Sequence, residues 1–459
     1  MARVQGGASG TAAGPRERVA VIGSGVAGLT AAYLLQRRFD VLLFEAEERL
    51  GGHAHTHDVS DPRGGALAVD SGFIVHNERT YPNLLRLFGE LGVATQETEM
   101  SMSVRCLGCG LEYAGAKGPR GVFARSANMR DLRFLRMLGE IKRFHRHARR
   151  LLAEPARHED RDAAATGSTL PDAVSGITLG RFLAQGAYSP YFADHFLVPL
   201  VSAVWSTGPD LVLRYPARYL FEFLDHHGML SVTGSPRWRT VSGGSRTYVQ
   251  RAVKALSAVN LSTPVRAIER GPEGVTVRDE AGTAHRADRV VIATHPDQAL
   301  RILADPTPEE RAALGAIGYS RNETVLHTDT SLLPHSTSAR SCWNYLVPHC
   351  RTGHRRSVGL EASERALVTY HMNRLQRFDA ACDYLVTLNA TDAIDPATVI
   401  ARMVYEHPVY TPESVAAQAR LPRLATARTA YAGAYHGWGF HEDGCASGVA
   451  AAATFGVAW

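Results

Sequence analysis

Near its N-terminus the chain alternates short apolar runs with a glycine-rich turn and a helical segment. Residues 19–22 are apolar and lead into the turn Gly23-Ser24-Gly25-Val26-Ala27-Gly28, residues 29–36 have a helical pattern, and residues 41–44 form a second apolar run. Short apolar runs bounded by turn residues are typical of strands buried in a parallel sheet. The pattern therefore predicts a strand, a helix and a second strand in direct succession.

The middle of the chain, residues 81–234, has a mostly helical pattern. A stretch at residues 131–154 is basic and amphipathic, which favours the solvated exterior of a helix and leaves peripheral contact with an anionic membrane through residues 130–152 as an alternative. Residues 155–174 are polar and aperiodic and predict a surface loop. Residues 188–219 are apolar and aromatic and predict the core of a substrate domain. The apolar face predicted for the basic stretch consists of Leu135, Leu138, Ile141, Ala148 and Leu151.

The C-terminal half returns to strand patterns. Alternating or continuous apolar runs bounded by turns predict strands, and a helix is predicted over residues 247–256. A further helix is predicted near residues 378–389, and an alanine-rich helix ends near Phe455. The predicted strands are residues 265–268, 274–278, 287–294, 323–328, 343–347 and 367–372.

Size and composition describe an ordinary globular enzyme of two domains. The 459 residues are long for a single core, and 45% are hydrophobic and 21% charged. No apolar stretch reaches the roughly 18 residues of a membrane span, which excludes an integral membrane protein. Residues 1–15 lack an apolar signal core and predict a flexible tail on a cytoplasmic protein. The net charge of +5, without an aromatic and basic module, excludes nucleic acid as a partner.

Six cysteines are scattered through the chain, and free thiols are the simplest account of them. Cys106 and Cys109 have the C-x-x-C spacing of redox pairs and zinc sites. No second C-x-x-C and no adjacent pair of histidines accompanies them, so the sequence assigns no metal site. A redox pair or half of a metal site stays open as an alternative.

The glycine-rich turn has the chemistry of a dinucleotide site. In G-x-G-x-x-G, Gly23 permits the tight turn, Gly25 lets backbone amides approach a pyrophosphate, and Gly28 lets the helix lie against the strand. The N-terminus of that helix favours phosphate. Glu45, about 20 residues further on, is placed to accept hydrogen bonds from a ribose diol. The turn alone leaves NAD and FAD open.

Two motifs further along make the chain similar to a known superfamily. Residues 45–52 read E-x-x-x-R-x-G-G, and residues 70–72 read D-x-G. Together with the turn they resemble the N-terminal signature of the FAD-dependent amine oxidase, phytoene desaturase and protoporphyrinogen oxidase superfamily. The resemblance implies FAD as the cofactor.

The same resemblance implies an α/β fold in which two domains are interleaved. A Rossmann-type FAD-binding domain, a parallel sheet with helices, would comprise residues 16–80, 236–298 and 423–459. A mixed α+β substrate domain would comprise residues 81–235 and 299–422.

The resemblance also assigns cofactor contacts by position. His53 stands where many relatives carry arginine, and its neutral imidazole would donate only one hydrogen bond. A polar loop is the alternative interpretation of His53, His55 and His57. The residues assigned to FAD are Gly23, Ser24, Gly25, Val26, Ala27, Gly28, Glu45, Ala46, Arg49, Gly51, Gly52, His53, Gly72, Phe73, Ile74, Val265, Ala293, Thr294, Gly433, Phe440, His441, Glu442 and Gly444.

Residues 431–448 resemble the superfamily's closing motif, in which the last helix directs its N-terminus at the flavin. Ala434 departs from it, because relatives usually have an acid there that binds the ribityl chain. His441 and Glu442 are candidates for proton transfer, and capping of the last helix is the alternative. Tyr370, Asn373 and Trp438 are candidate substrate contacts, with ordinary packing as the alternative.

Four segments of the C-terminal half have a distinctive sequence: Trp343-Asn344-Tyr345, residues 369–376, His407-Pro408-Val409-Tyr410 and residues 439–444. They resemble a narrower group, the predicted NAD/FAD-binding proteins often encoded beside cyclopropane fatty acid synthases or fused to them. Amine oxidases of the superfamily commonly place a lysine near flavin N5, and this chain has no lysine after Lys254. We therefore expect an FAD-dependent oxidoreductase that transfers hydride to or from an apolar, acyl-chain or lipid-like substrate. The alternatives are a redox-neutral lipid isomerase, an amine oxidase without the lysine, and a non-catalytic flavin-bound partner of a lipid methyltransferase.

Overall fold

The computed structural model describes residues 16–154, 176–231, 234–351 and 365–459. The predicted tail at residues 1–15 and the predicted surface loop at residues 155–174 lie outside the described residues. The strands are β1 (Arg18–Ile22), β2 (Asp40–Phe44), β3 (Thr56–Ser60), β4 (Ala66–Asp70), β5 (Val75–Asn77), β6 (Thr95–Glu97), β7 (Met102–Cys106), β8 (Glu112–Ala114), β9 (Trp238–Val241), β10 (Ala258–Asn260), β11 (Val265–Gly271), β12 (Gly274–Asp279), β13 (Ala284–Ala287), β14 (Arg289–Ile292), β15 (Tyr319–His327), β16 (Trp343–Val347), β17 (Val368–His371), β18 (Leu385–Leu388), β19 (Val399–Pro408) and β20 (Thr429–Tyr431).

The α-helices are α1 (Val26–Leu35), α2 (Pro82–Leu91), α3 (Gly118–Val122), α4 (Leu132–Ala153), α5 (Leu179–Gln185), α6 (Pro190–Phe192), α7 (Val198–Trp205), α8 (Pro209–Val212), α9 (Ala217–His226), α10 (Arg246–Ala252), α11 (Pro296–Ile302), α12 (Pro308–Leu314), α13 (Met372–Leu375), α14 (Pro412–Gln418) and α15 (His441–Thr454). A π-helical segment, Ala193–Leu197, joins α6 to α7.

A five-stranded parallel sheet carries the glycine-rich turn. Its order is β10-β2-β1-β14-β20, with β1 between β2 and β14. Successive side chains of a strand point to opposite faces, so Val19 and Val21 pack with α1, α2 and α15, while Ala20 and Ile22 pack with α11, α12 and the sheet β11-β12-β13. Burial on both faces explains why β1 reads as one continuous apolar run.

A seven-stranded sheet forms the second layer, in the order β19-β15-β18-β17-β16-β7-β8. Its pairings are antiparallel except for β16 with β7. Helices of the middle of the chain pack against it around an aromatic core that includes Phe144, Phe192 and Phe221.

The two sheets draw on different stretches of the chain. The five-stranded sheet uses strands within residues 16–80, 236–298 and 423–459, and the seven-stranded sheet uses strands within 81–235 and 299–422. Helix α2 and strand β6 lie beyond the predicted boundary at residue 80. However, Leu84 and Leu87 of α2 belong to the same core as Val19 and Val21 of β1, and β6 pairs with β9. The division into domains otherwise stays a prediction.

Two secondary-structure predictions differ from the structure. The helix predicted near residues 378–389 is wrong, because residues 385–388 form strand β18, buried between β15 and β17. A short apolar run buried on both faces has no alternation that distinguishes it from a helix. Strands β7 and β8 also lie in the stretch predicted to be mostly helical.

Helix α4 matches the predicted basic stretch and most of its predicted apolar face. It buries Phe134, Met137, Phe144 and Ala148, and Leu138, Ile141 and Leu151 pack partly buried against the same core, whereas Leu135 is 39% exposed. Among the described residues, no helix is both long enough and apolar enough to cross a membrane.

Candidate active site

A cavity of about 640 Å³ lies at the carboxyl ends of β1, β2 and β14. Its wall includes Gly23 to Ala27 after β1, Glu45 and Ala46 after β2, and Ala293 and Thr294 after β14. Ligands of open α/β sheets bind at this edge, because the loops that follow parallel strands converge there.

Within the glycine-rich turn, Gly28 has no room for a side chain, whereas Gly25 faces open space. A Cβ on Gly28 would lie 1.9 Å from the carbonyl oxygen of Gly23, so only glycine lets α1 lie this close to β1. A Cβ on Gly25 would meet nothing within 4 Å. Gly25 precedes the first residue of α1, so the open space lies at a helix N-terminus that favours a phosphate group.

Glu45 holds this turn from the end of β2. Its carboxylate accepts hydrogen bonds from the backbone N–H and the hydroxyl of Ser24, at 2.9 and 2.5 Å, and from the N–H of Glu47 at 3.0 Å. Ser24 in turn accepts from the N–H of Gly51. The turn, Glu45 and the G-G segment therefore form one hydrogen-bonded unit along the cavity.

Arg49 provides a positive charge at the same wall. Its guanidinium donates to the carbonyl of Gly52 at 2.8 Å and forms an ion pair with Glu47 at 2.9 Å. Both partners hold the side chain across the G-G segment, where a phosphate would meet it.

The segment containing His53 and the D-x-G segment lie directly on each other. A Cβ on Gly72 would lie 2.2 Å from the carbonyl oxygen of His53, and that oxygen accepts the N–H of Phe73 at 2.7 Å. Close approach therefore requires glycine at this position. Asp70 anchors the segment by accepting from the N–H of Ser245 at 3.0 Å, and burial raises the pKa of Asp70 to about 6.

The C-terminal segment closes the far end of the cavity. Phe440 and His441, at the start of α15, line it together with Gly433 and Ala434. The backbone N–H groups at this helix start favour negative charge in the cavity. Tyr435 also lines the cavity, and its buried hydroxyl has no partner among the described residues. A buried hydroxyl without a partner is suited to bind a polar ligand. The neighbouring Ala434 has no polar side chain for this purpose.

A second cavity of about 160 Å³ adjoins the first. Aromatic and aliphatic side chains from both layers form most of its wall, among them Phe73, Trp205, Phe223 and Tyr370. The two cavities share part of their lining, which makes them neighbouring compartments. The shared residues are His53, Tyr405, His407, Pro408, Gly439, Phe440 and His441.

The wall of the second cavity is electrically neutral. No aspartate, glutamate, lysine or arginine occurs among the described residues that line it. Burial lowers the pKa of His227 and His407 to about 4 and that of His441 to about 3, and burial also holds the pKa of His53 well below its usual value. These four imidazoles are therefore uncharged at neutral pH.

His407 has a defined tautomer at the junction of the cavities. Its Nδ1 accepts from the side-chain amide of Asn322 at 3.0 Å, so the hydrogen of the neutral ring is on Nε2. The ring centroid lies 5.2 Å from that of His53, whose ring is also 4.9 Å from Tyr405. The junction is thus built from polar but uncharged rings.

His441 lies at the same junction, stacked on Phe73 with ring centroids 3.7 Å apart. Its Nε2 is 3.0 Å from the hydroxyl of Tyr248. A pKa of about 3 makes this imidazole a poor proton acceptor near neutral pH. The stacking on Phe73 and the contact with Tyr248 hold this ring at the junction, and proton transfer by His441 stays a prediction.

Glu442 is directed away from both cavities. Its carboxylate accepts from the backbone N–H groups of Asn83 and Leu84, at 3.0 and 2.9 Å, and from the side-chain amide of Asn83 at 2.7 Å. It therefore caps the N-terminus of α2. Both predicted roles, proton transfer and cofactor contact, are corrected by this geometry.

The remaining predicted cofactor residues form two groups, those that line a cavity and those that do not. Gly28, Gly51 and Gly444 do not line either cavity. A Cβ on Gly444 would lie 2.6 Å from Val26, so this glycine serves the contact of α15 with α1. The predicted cofactor residues that do line a cavity are Gly23, Ser24, Gly25, Val26, Ala27, Glu45, Ala46, Arg49, Gly52, His53, Gly72, Phe73, Ile74, Val265, Ala293, Thr294, Gly433, Phe440 and His441.

Of the three predicted substrate residues, Tyr370 lines the second cavity. Asn373 instead bonds the backbone of Cys382 and Tyr384, and the carbonyl of Trp438 accepts from the indole of Trp205. Both are outside the cavity linings and have packing roles.

Sequence reasoning missed Tyr405 and His407, which belong to β19, and Tyr435. The hydroxyl of Tyr405 lies 2.7 Å from that of Ser71 and 3.1 Å from Nδ1 of His55. The run His-Pro-Val-Tyr from His407 was distinctive in the sequence, but its place beside the glycine-rich turn depends on β19 ending at this cavity.

Comparisons with known proteins agree with this architecture. The profile described as Flavin containing amine oxidoreductase matches residues 26–454. No curated protein matches the chain. Among solved structures, cyclohexylamine oxidase from Brevibacterium oxydans IH-35A is 19% identical with a TM-score of 0.67, over 96% of this chain and 99% of that one.

Two further solved structures share the fold. A CLA-producing fatty acid isomerase from P. acnes is 16% identical with a TM-score of 0.63, over 94% of this chain and 97% of that one. A wild-type putrescine oxidase bound to putrescine is 16% identical with a TM-score of 0.64, over 95% and 98%.

Proposed function

This chain belongs to the flavin containing amine oxidoreductase family, and we propose that it transfers hydride between flavin N5 and an uncharged, apolar substrate such as an acyl-chain lipid. The family's cofactor is FAD, which supplies the hydride acceptor or donor. The observation that carries the proposal is the neutral wall of the second cavity.

The first cavity fits FAD in its polar groups. Open space at Gly25 suits the pyrophosphate, Arg49 supplies a positive charge and Glu45 a carboxylate for the adenosine ribose. The hydroxyl of Tyr435, which has no partner among the described residues, suits the ribityl chain. It would replace the acid that relatives usually carry at the position of Ala434. These residues would hold the cofactor so that its reactive end faces the second cavity.

A neutral wall discriminates against a protonated amine. Burial of an ammonium without a counter-charge costs several kcal/mol, whereas aromatic faces return only about 2 kcal/mol through cation–π contacts. An apolar chain gains about 0.8 kcal/mol for each buried CH₂ group. The aromatic and aliphatic lining therefore favours an uncharged lipid over a cationic amine.

The residues at the junction would orient this substrate. His407 presents a ring whose Nε2 carries hydrogen, and His441 is held by Phe73 and Tyr248. Both imidazoles are neutral, so they would donate or accept hydrogen bonds rather than carry net charge.

Anaerobic mixing of the FAD-loaded protein with a substrate panel tests the proposal. The panel pairs neutral acyl lipids with primary amines of matched chain length, and the flavin's visible absorbance reports reduction. We expect bleaching by lipids and little by amines. Bleaching by amines alone would support an amine oxidase without the lysine and refute the proposal.

A variant of the cavity wall sharpens this test. Val204 of α7 lines the second cavity, and Val204→Asp would place a carboxyl group there. We expect slower bleaching by neutral lipids and tighter binding of amines, because the carboxylate pairs with an ammonium. Leu213→Asp on the exposed surface is the matched control and should leave both quantities unchanged. Equal effects of the two variants would show that the cavity does not hold the substrate.

A redox-neutral lipid isomerase is the second candidate, since an uncharged apolar cavity serves it equally and a fatty acid isomerase shares the fold. Continued turnover of a lipid without an electron acceptor would establish isomerisation, and a lasting requirement for an acceptor would refute it. Tight binding to a lipid methyltransferase, with no bleaching by any panel member, would favour the non-catalytic partner.

A further inference from the structure

Four metal-ligating side chains from three distant segments meet at one end of the seven-stranded sheet. Cys106 ends β7, Cys109 lies in the turn to β8, Cys350 follows β16, and His195 lies in the π-helical segment. One ligand atom from each of these residues lies within 4.8 Å of those of the other three. None of the four lines either cavity of the candidate active site.

The spacing is close to that of a tetrahedral zinc site. Zinc bonds of about 2.3 Å to sulfur and about 2.0 Å to nitrogen place neighbouring ligand atoms about 3.5–3.8 Å apart. The Sγ of Cys109 is 3.4 Å from Nε2 of His195. Small adjustments of side-chain torsions would therefore bring all four ligands to a central ion.

His195 has the orientation of a metal ligand. Its Nδ1 is 3.0 Å from the carbonyl oxygen of Tyr191, which can only accept, so Nδ1 carries the hydrogen. The lone pair of Nε2 is then directed at Cys109. Metal-binding histidines are usually fixed in this way by a carbonyl at the other ring nitrogen. His195 is completely buried, and its Nε2 faces the sulfur of Cys109 rather than solvent.

The surrounding backbone brings the three segments together independently of the ligands. Strand β7 pairs in parallel with β16, with Cys106 opposite Val347, and this pairing delivers the loop of Cys350. A Cβ on Gly108 would lie 3.1 Å from the backbone nitrogen of Cys350, so the C-x-x-C turn and that loop are in close contact.

Residues beside two of the ligands form an ion pair. Asp194 precedes His195, and Arg351 follows Cys350. The guanidinium of Arg351 lies 2.6 Å from the carboxylate of Asp194. The carboxylate of Asp194 also accepts the backbone N–H of Arg351 at 3.2 Å. This contact fixes the helical segment to the loop and preorganises the cluster.

We propose that Cys106, Cys109, His195 and Cys350 bind one zinc ion in a closed, structural site. Three thiolates and one imidazole complete a tetrahedron and leave no position for substrate, which distinguishes a structural from a catalytic site. On this proposal the sequence showed half of the site, and the fold supplies the other two ligands. The proposal departs from the prediction of no metal site.

A redox disulfide between Cys106 and Cys109 fits the surroundings less well. Oxidation of this pair would remove two ligands and leave the buried Nε2 of His195 facing a sulfur that can no longer act as a thiolate. A zinc ion satisfies all four groups at once.

Metal analysis of the full-length, FAD-loaded protein tests the proposal. The protein is purified without chelator or histidine tag, and its zinc content is measured by inductively coupled plasma mass spectrometry. We expect about one zinc per chain. Cys109→Ser and Cys350→Ser should lose it, whereas Cys382→Ser, a half-buried cysteine outside the cluster, should retain it.

A cobalt titration of the wild-type protein makes the test independent of whether the variants fold. Zinc is removed under reducing conditions, the flavin is bleached with dithionite, and Co²⁺ is added. Intense bands of a tetrahedral thiolate complex are expected. Octahedral spectra, absence of both zinc and cobalt uptake, or a mass lower by two hydrogens from a disulfide would each overturn the proposal.

Discussion

The carboxylate of Glu45 should account for a measurable part of FAD affinity. In the structure it accepts hydrogen bonds from the N–H and hydroxyl of Ser24 and from the N–H of Glu47. Glu45→Gln keeps one oxygen and replaces the other by an amide group that cannot accept. At least one backbone N–H therefore loses its acceptor, at a cost of about 1–3 kcal/mol.

The proposed contact with the adenosine ribose weakens as well, because a hydrogen bond to a charged group, about 1.5–3 kcal/mol, becomes a neutral one of about 0.5–1.5 kcal/mol. We expect the FAD dissociation constant of Glu45→Gln to rise about 5- to 150-fold, which corresponds to about 1–3 kcal/mol. FMN lacks the adenosine ribose and should be affected less.

The assay is titration of the apo protein with FAD and with FMN, followed by flavin fluorescence. Glu48→Gln is the matched control, since Glu48 is exposed and outside the cavity lining. An unchanged FAD affinity in Glu45→Gln would refute the ribose contact. Equal losses for FAD and FMN would show that the carboxylate acts only by holding the turn of Ser24.

Three further outcomes follow from the structure. Gly25→Ala should leave the apo protein folded but prevent FAD binding, whereas Gly28→Ala should also destabilise the fold. Urea unfolding of both variants, with and without FAD, would show this difference. Equal stability of the two apo variants would contradict the close packing of α1 on β1. Glu442→Ala should cost about 1–2 kcal/mol of unfolding free energy through loss of the α2 cap, with little change in the turnover of folded protein. Burial lowers the pKa of His327 to about 4, whereas its pKa in the unfolded chain is about 6.5. The contribution of the neutral ring to the unfolding free energy is therefore complete above a pH of about 6.5 and is lost as the pH falls from there towards 4. His327→Gln should therefore narrow the difference in unfolding free energy between pH 8 and pH 5 by about 2 kcal/mol, and an unchanged difference would refute the assignment.

The contiguous motifs could be recognised from the sequence because the contacts that require them are local. The turn from Gly23 to Gly28 requires glycine for contacts within a few residues, and the spacing to Glu45 follows from one strand, one helix and one strand. Family resemblance then identified FAD from the G-G and D-x-G segments, and a backbone hydrogen bond from the N–H of Phe73 to the carbonyl of His53 brings these segments together.

Contacts between distant segments were decided by the tertiary structure alone. Glu442 follows His441 in sequence, yet a helix turns adjacent side chains about 100° apart, so one lines the cavities and the other caps α2. His195 lies far along the chain from Cys109, and only the packing of the π-helical segment on β7 brings them to 3.4 Å. A sequence specifies which residues can ligate, bond or titrate. Which of them meet, and whether burial leaves them charged, depends on packing between segments that no local pattern records.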